Sequence, residues 1–353
     1  MTTLEPTALN SVHTTNFPQI LRQLKISLLV STYQTGKVII LRADGNTINT
    51  HFRDFPKPMG LTADANRITI GTTHEVLELC NISAVAAKLE PAGKHDACYL
   101  QRRAHTTGDI DIHEMARSAE ELWFINTRFS CLCTLHPDYS FVPRWRPFFV
   151  SALSPEDRCH LNGLCLVAGQ PRYVTALGET DTRESWRQNK AHGGILLEVP
   201  TQCLILRGLS MPHSPRWYAN RLWLLESGQG TLAVVDPVRQ QLQTIAQLPG
   251  FTRGLDFYGP LAFIGLSQVR ESVMFSGIPL TERLEERVCG VWVVNIETGQ
   301  TIAFLRFEDA VQEIFAVQVL PGINFPEILE STHELFAQSY VLPDEALKDT
   351  VSA

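Results

Sequence analysis

Residues 213–237 read HSPRWYANRLWLLESGQGTLAVVDP, and this stretch decides the fold. Two apolar runs, Leu222–Leu225 and Leu232–Val235, are each about one strand long, and turn residues bound them both. Ala219-Asn220 precedes the first run, Ser227-Gly228-Gln229-Gly230 separates the two, and Asp236-Pro237 closes the second. A further strand led by His213 stands in front. The spacing is that of short antiparallel strands, and helical periodicity is absent.

Outward from this stretch the same unit recurs. A first strand begins near a Gly, His or Asn and ends in a turn. A second apolar strand follows some eight residues later, then a polar loop and a third strand ending in Asp, Asn or Pro. Copies begin at Met59, His113, Asn162 and Arg253, and a weaker first strand begins at Phe315. The period is about 40–50 residues, which is the signature of a four-stranded propeller blade. Residues 27–52 supply second, third and fourth strands with no first strand before them, whereas residues 315–322 are a first strand with nothing after it. Joined, they make one blade and leave the ring without an open edge. The reading is therefore an all-β chain: a six-bladed β-propeller closed by one C-terminal and three N-terminal strands. It spans residues 27–322, with an N-terminal extension (1–26) and a C-terminal tail (323–353). Short helical segments are expected at residues 17–25 and 325–338. A split into two β domains near Ser154-Pro155 is the rival, but the repeat crosses that point unbroken.

Thirty basic and 37 acidic residues leave a net charge of −7 on 353 residues, and the longest basic run is Arg102-Arg103. A nucleic-acid partner is not expected. No stretch reaches the ~20 apolar residues of a membrane span, and the start lacks the pattern of a secretory signal. A cytoplasmic protein with no membrane partner is the expectation. The eight cysteines form no CxxC pair, so they read as buried thiols rather than a zinc ribbon.

In an antiparallel hairpin the start of the first strand lies beside the end of the second. In a propeller both open onto one face around the central channel. The strand-one starts supply Met59, His113, His160 with Asn162, His213 and Arg253. The strand-two ends supply Asn126 with Arg128, Glu179, Glu226 and Arg270. Three histidines thus fall at equivalent points of three successive blades. Three readings stay open. His113, His160 and His213 could ligate one divalent transition metal such as zinc or iron. Without a metal, His113 or His213, with Glu226, could do acid–base catalysis, and the enzyme class would be hydrolase, lyase or oxidoreductase. Or the histidines hydrogen-bond loops around the channel of a non-catalytic scaffold that binds a protein or peptide. In the first two readings Arg128, Arg253 and Arg270 hold a small anionic ligand, with Asn162, Glu179 and the loop residue Trp186 as further contacts. Asp109-Ile-Asp111-Ile-His113 and Met211-Pro-His213-Ser-Pro are the local patterns behind these choices. No P-loop, HExxH, GxSxG or dinucleotide fingerprint occurs.

Six stretches in combination resemble an uncharacterised bacterial family defined by a domain of unknown function. They are STYQTGKVIIL from Ser31, FINTRFSCL from Phe124, HLNGL from His160, ALGETD from Ala176, GLSMPHSPRW from Gly208 and FTRGLDF from Phe251. The resemblance runs from about residue 15 to 330. It implies one propeller-like module and brings no activity or catalytic residue with it. More distantly, the architecture is similar to gluconolactonase-like and strictosidine-synthase-like propellers. Their acidic and Asn calcium ligands are not matched here, because histidines and arginines stand in that zone.

Overall fold

Each apolar run becomes a strand, and each group of four becomes a twisted antiparallel sheet. A computed structural model describes residues 9–119, 121–269, 277–343 and 345–346. From the channel outward, blade 1 consists of Ala316–Pro321, Ile26–Thr32, Lys37–Asp44 and Thr47–Asp54. Blade 2 consists of Leu61–Ala63, Arg67–Gly71, Glu75–Asn81 and Ala97–Thr106. Blade 3 follows with Ile112–Arg117, Leu122–Asn126, Cys131–His136 and Tyr139–Trp145. Blade 4 has Leu161–Val167, Gln170–Ala176, Gly194–Glu198 and Leu204–Leu209. Blade 5 has Pro212–Tyr218, Arg221–Glu226, Thr231–Asp236 and Gln241–Gln247. Blade 6 has Phe251–Tyr258, Leu261–Ser267, Cys289–Asn295 and Thr301–Phe307. The inner strand of each blade touches that of the next, and blade 6 returns to blade 1, so the ring of six is closed.

Closure is the composite blade expected from the sequence. Ala316–Pro321 pairs antiparallel with Ile26–Thr32, in a register running from Ser31 opposite Ala316 to Ile26 opposite Pro321. The core lies between blades. Ile26, Val30, Ile39, Phe263, Val291 and Val317 fill the junction of blades 6 and 1, and Trp223, Leu225, Leu255, Ile264 and Trp292 fill that of 5 and 6. Six of the eight cysteines are buried and none is in a disulfide. Burial pushes the Cys159 and Cys165 thiols up to about 12, in keeping with inert packing groups.

Both ends of the chain cover sheet edges. Ser11–His13 adds antiparallel to the outer strand of blade 6. Helix Phe17–Leu24 then buries Phe17 and Leu21 on the junction of blades 6 and 1. At the other end the sequence predicts a helix over 325–338, but Pro326–Ile328 is a strand, parallel to Ala97–Thr106. Only Glu334–Ala337 is helical. The open backbone of the blade 2 edge outcompetes the local helical pattern. Glu327 locks the added strand in place through Arg53 (2.7 Å) and His51 (2.8 Å). Among the described residues no helix is long and apolar enough to cross a membrane.

Candidate functional site

One residue from each blade reaches the same end of the channel: Phe315, Met59, His113, His160, His213 and Arg253, in the order of the blades. They stand at or just before the start of each inner strand. In blades 3 to 6 that strand carries a bulge at this place. Ile112 pairs with Asn126 and Met115 with Phe124; Leu161 with Ala176 and Gly163 with Thr175; His213 with Leu225 and Arg216 with Trp223; Thr252 with Leu266 and Leu255 with Ile264. Each inner strand thus inserts one extra residue, which re-aims the side chains there. Positive φ accompanies the irregularity at Asp111 (55°), Asp157 (48°), His160 (49°), Met211 (46°), Ser214 (50°) and Gly254 (81°). At the five non-glycine positions, strain of this kind persists only where the surroundings enforce it, and it clusters at functional sites.

The result is a cavity of about 340 Å³. Tyr33, Lys57, Asp111, Arg128, Asp157, Glu184, Trp186 and Arg187 complete its wall together with apolar neighbours. Trp186 and Arg187 come from the loop between the second and third strands of blade 4, in a short 3₁₀ turn over Ser185–Asn189. Trp186 is buried against the imidazole of His160, ring centroids 4.3 Å apart, and its indole N–H donates to Asp157 Oδ2 at 3.1 Å. The same carboxylate oxygen accepts from His160 Nδ1 at 2.9 Å. His160 meets His113 edge to face at 4.7 Å, and His113 meets Phe315 at 5.1 Å.

Electrostatics divide the lining. Burial holds His113 and His213 well below the ordinary imidazole pKa, and the nearby Arg253 charge adds to the effect. Both rings are neutral at pH 7. Burial alone would raise the Asp111 carboxyl, but neighbouring charge holds it below its ordinary value. With His113 neutral, the lasting cause is Lys57, whose ammonium is 3.1 Å away. Arg128 pairs with Asp109 at 2.6 Å and Arg187 with Glu184 at 2.9 Å. Arg253 differs. Its guanidinium lies over the Phe315 ring, 3.7 Å from the centroid, and among the described residues it has no hydrogen bond or ion pair.

The structure brings His113, His160, His213, Arg128, Arg253 and Trp186 to one cavity. Three other candidates lie off it. Glu226 accepts the backbone N–H of Ser210 at 2.9 Å. Asn162 is buried and fully engaged, donating to the Pro212 carbonyl (3.1 Å) and accepting from Thr175 Oγ1 (2.6 Å). Glu179 forms a two-pronged pair with Arg207 at 2.8 and 3.3 Å. Arg270 lies outside the described residues. Among the described residues no three His, Cys, Asp or Glu side chains converge to hold a metal ion, so the three-histidine metal centre is not assembled here.

Sequence reasoning missed Tyr33, Lys57 and Glu313. Tyr33, which hydrogen-bonds Glu313, directly follows the second strand of the composite blade. The strand-end rule that picks out the other blades points to it once the two chain ends are joined.

A sequence family described as a domain of unknown function, DUF4915, matches residues 15–329. No curated protein matches the chain. Among solved structures, a chain of a nidogen/laminin complex is 10% identical with a TM-score of 0.53, covering 84% of this chain and 99% of that one. A protein of unknown function from Bacteroides caccae is 10% identical with a TM-score of 0.52, covering 84% and 98%. A catalytically inactive virginiamycin B lyase from Staphylococcus aureus, solved with quinupristin, is 10% identical with a TM-score of 0.40, covering 84% and 98%. The first two share the propeller fold, and nothing finer follows from them. The chain belongs to the DUF4915 family.

Proposed function

We propose that this DUF4915 propeller binds a small anionic ligand in the channel-mouth cavity, with Arg253 as the principal contact. One observation carries the reading. Among the described residues every other cation lining the cavity is matched by a carboxylate: Lys57 by Asp111, Arg128 by Asp109 and Arg187 by Glu184. Arg253 has no such partner among the described residues, although burial penalises its charge. A guanidinium always stays charged and offers five N–H donors, and an anion that reaches it gains charge-assisted hydrogen bonds in a dry setting. The volume of about 340 Å³ suits a small molecule.

If the ligand is a substrate, Asp157 and His160 are the pair suited to move a proton. Asp157 orients the ring through Nδ1 and would balance the charge of an imidazolium. This shifts the acid–base role from His113, His213 and Glu226 to His160. Hydrolase, lyase and oxidoreductase chemistry all remain within its reach. A metal-free site is the reading favoured by the donor arrangement.

The test is a calorimetric titration of the purified chain with inorganic phosphate, alongside Arg253→Met. The expected result is saturable binding that the substitution weakens tenfold or more. Equal binding by the variant, or no binding of either phosphate or a small carboxylate, removes the anion site and leaves the peptide-docking scaffold as the better account.

A further inference from the structure

The hydrogen bonds around the three imidazoles fix which ring nitrogen carries the proton. Ser227 Oγ gives its single proton to the Thr252 carbonyl at 2.5 Å, so it turns a lone pair toward His213 Nδ1, 2.9 Å away. The Met211 carbonyl faces the same nitrogen at 3.0 Å. His113 Nδ1 faces the Asp111 carbonyl at 3.0 Å. His160 Nδ1 faces Asp157 Oδ2 at 2.9 Å, an oxygen that already accepts from Trp186. All of these partners accept, so each Nδ1 must donate. A neutral ring with its proton on Nδ1 has a bare lone pair on Nε2. No Nε2 of the three has a partner among the described residues. The neutral rings of His113 and His213 therefore set two acceptors in a cavity shared with a guanidinium that can only donate.

That combination selects a ligand. A bare anion satisfies Arg253 but presses its oxygens against two lone pairs. A neutral or cationic donor satisfies the imidazoles but leaves the guanidinium unmatched. Only a group that accepts at one end and donates at the other satisfies both. Resting on the anion reading above, we infer that the occupant is an anion carrying its own hydroxyl, such as a protonated oxyanion or a hydroxycarboxylate. A site built to accept from a ligand hydroxyl rejects the analogue without one, because its own polar groups are then left unpaired.

Two matched pairs of probes test this at pH 7: phosphate against sulfate, and glycolate against acetate. Sulfate carries at least the charge of phosphate but no O–H, so simple charge attraction would favour it. Acetate and glycolate differ by the hydroxyl alone. The expected result is at least tenfold tighter binding of the hydroxyl-bearing member in one pair or both. Discrimination within the first pair places the hydroxyl on the anionic group, and within the second on the neighbouring carbon. If any of the four binds and neither pair shows this preference, the inference is overturned and the anion site stands. If none of the four binds, the anion reading itself falls. Long-range ¹H–¹⁵N correlations of the imidazoles give an independent check. Protons on Nδ1 of all three rings are expected, and Nε2 protonation of any of them in the neutral form would overturn the argument.

Discussion

His213 Nδ1 lies 2.9 Å from Ser227 Oγ, and that hydroxyl is the end of strand two reaching back to the start of strand one within blade 5. Ser227 in turn ties blade 5 to blade 6 through the Thr252 carbonyl. One buried hydroxyl thus joins two blades and, with the Met211 carbonyl, sets a tautomer.

Replacing Ser227 with alanine removes both bonds and leaves the buried Thr252 carbonyl without its serine partner. At ~1–1.5 kcal/mol per buried hydrogen bond, the loss should be about 2–3 kcal/mol. Urea denaturation checks this. The Met211 carbonyl remains as an acceptor for Nδ1, so His213 should keep its tautomer and the fold should survive.

Arg253 should cost the free protein stability. Burial penalises its charge by more than the nearby acids Glu313, Asp111 and Glu114 favour it, since its pKa is shifted down on balance. The contact with the Phe315 ring returns about 1–2 kcal/mol, less than the several kcal/mol typical of desolvating an unpaired ion. In anion-free buffer Arg253→Met should therefore raise the stability to denaturation, by about 1–3 kcal/mol. In saturating phosphate that advantage should shrink by at least about 1.4 kcal/mol, the worth of a tenfold difference in affinity, because the parent chain gains more from ligand binding. Paired melts with and without phosphate measure both.

The blade count, the closing blade and the position of the mouth residues are legible in the sequence, because strand length, turn residues and repeat spacing are local properties. His113, His160, His213 and Arg253 follow from position in the repeat alone. What the pairing of side chains adds is not local. Arg128 faces the cavity but is matched by Asp109. Asn162 sits in the right place but spends its amide on Pro212 and Thr175. Glu179 is drawn off by Arg207, 28 residues away. The helix expected at 325–338 fails for a similar reason: its competitor is the edge of a strand more than two hundred residues earlier.

The tail strand carries its own pH signature. Burial would raise the Glu327 carboxyl, but the hydrogen bond and charge of His51, with Arg53 and Arg42, outweigh it and bring the pKa down from 4.5 to about 2. A carboxylate with a lowered folded-state pKa stabilises the fold above its unfolded value. That contribution is lost as pH falls from about 4.5 through about 2. At ~1.4 kcal/mol per pKa unit it is on the order of 3 kcal/mol. The melting temperature of the parent chain should fall across this window, and the part of the fall due to Glu327 should vanish in Glu327→Gln. At pH 7 the variant should be less stable by a similar amount, because Arg42 is left buried beside a neutral amide.

Gly254 offers the sharpest test of how closure positions the site. It has φ +81°, and a Cβ there would lie 2.7 Å from Val317 N, 2.8 Å from Ala316 C and 2.9 Å from Ala316 Cα. All three contacts are backbone of the closing strand, so nothing can rotate aside. Gly254→Ala must push the inner strand of blade 6 away from that of blade 1, as well as adopt a left-handed conformation that costs ~1–2 kcal/mol. The total should reach about 3 kcal/mol or more. Gly259 provides the control. Its φ is +56°, but a Cβ there would meet nothing within 4 Å, so Gly259→Ala should cost only the conformational part, about 1–2 kcal/mol. The two variants should also differ in binding. Gly254 follows Arg253 directly, and displacing it moves the guanidinium off the Phe315 ring, so phosphate affinity should fall at least tenfold in Gly254→Ala. It should be unchanged in Gly259→Ala, and equal effects of the two substitutions on stability and binding would separate the closing strand from the site.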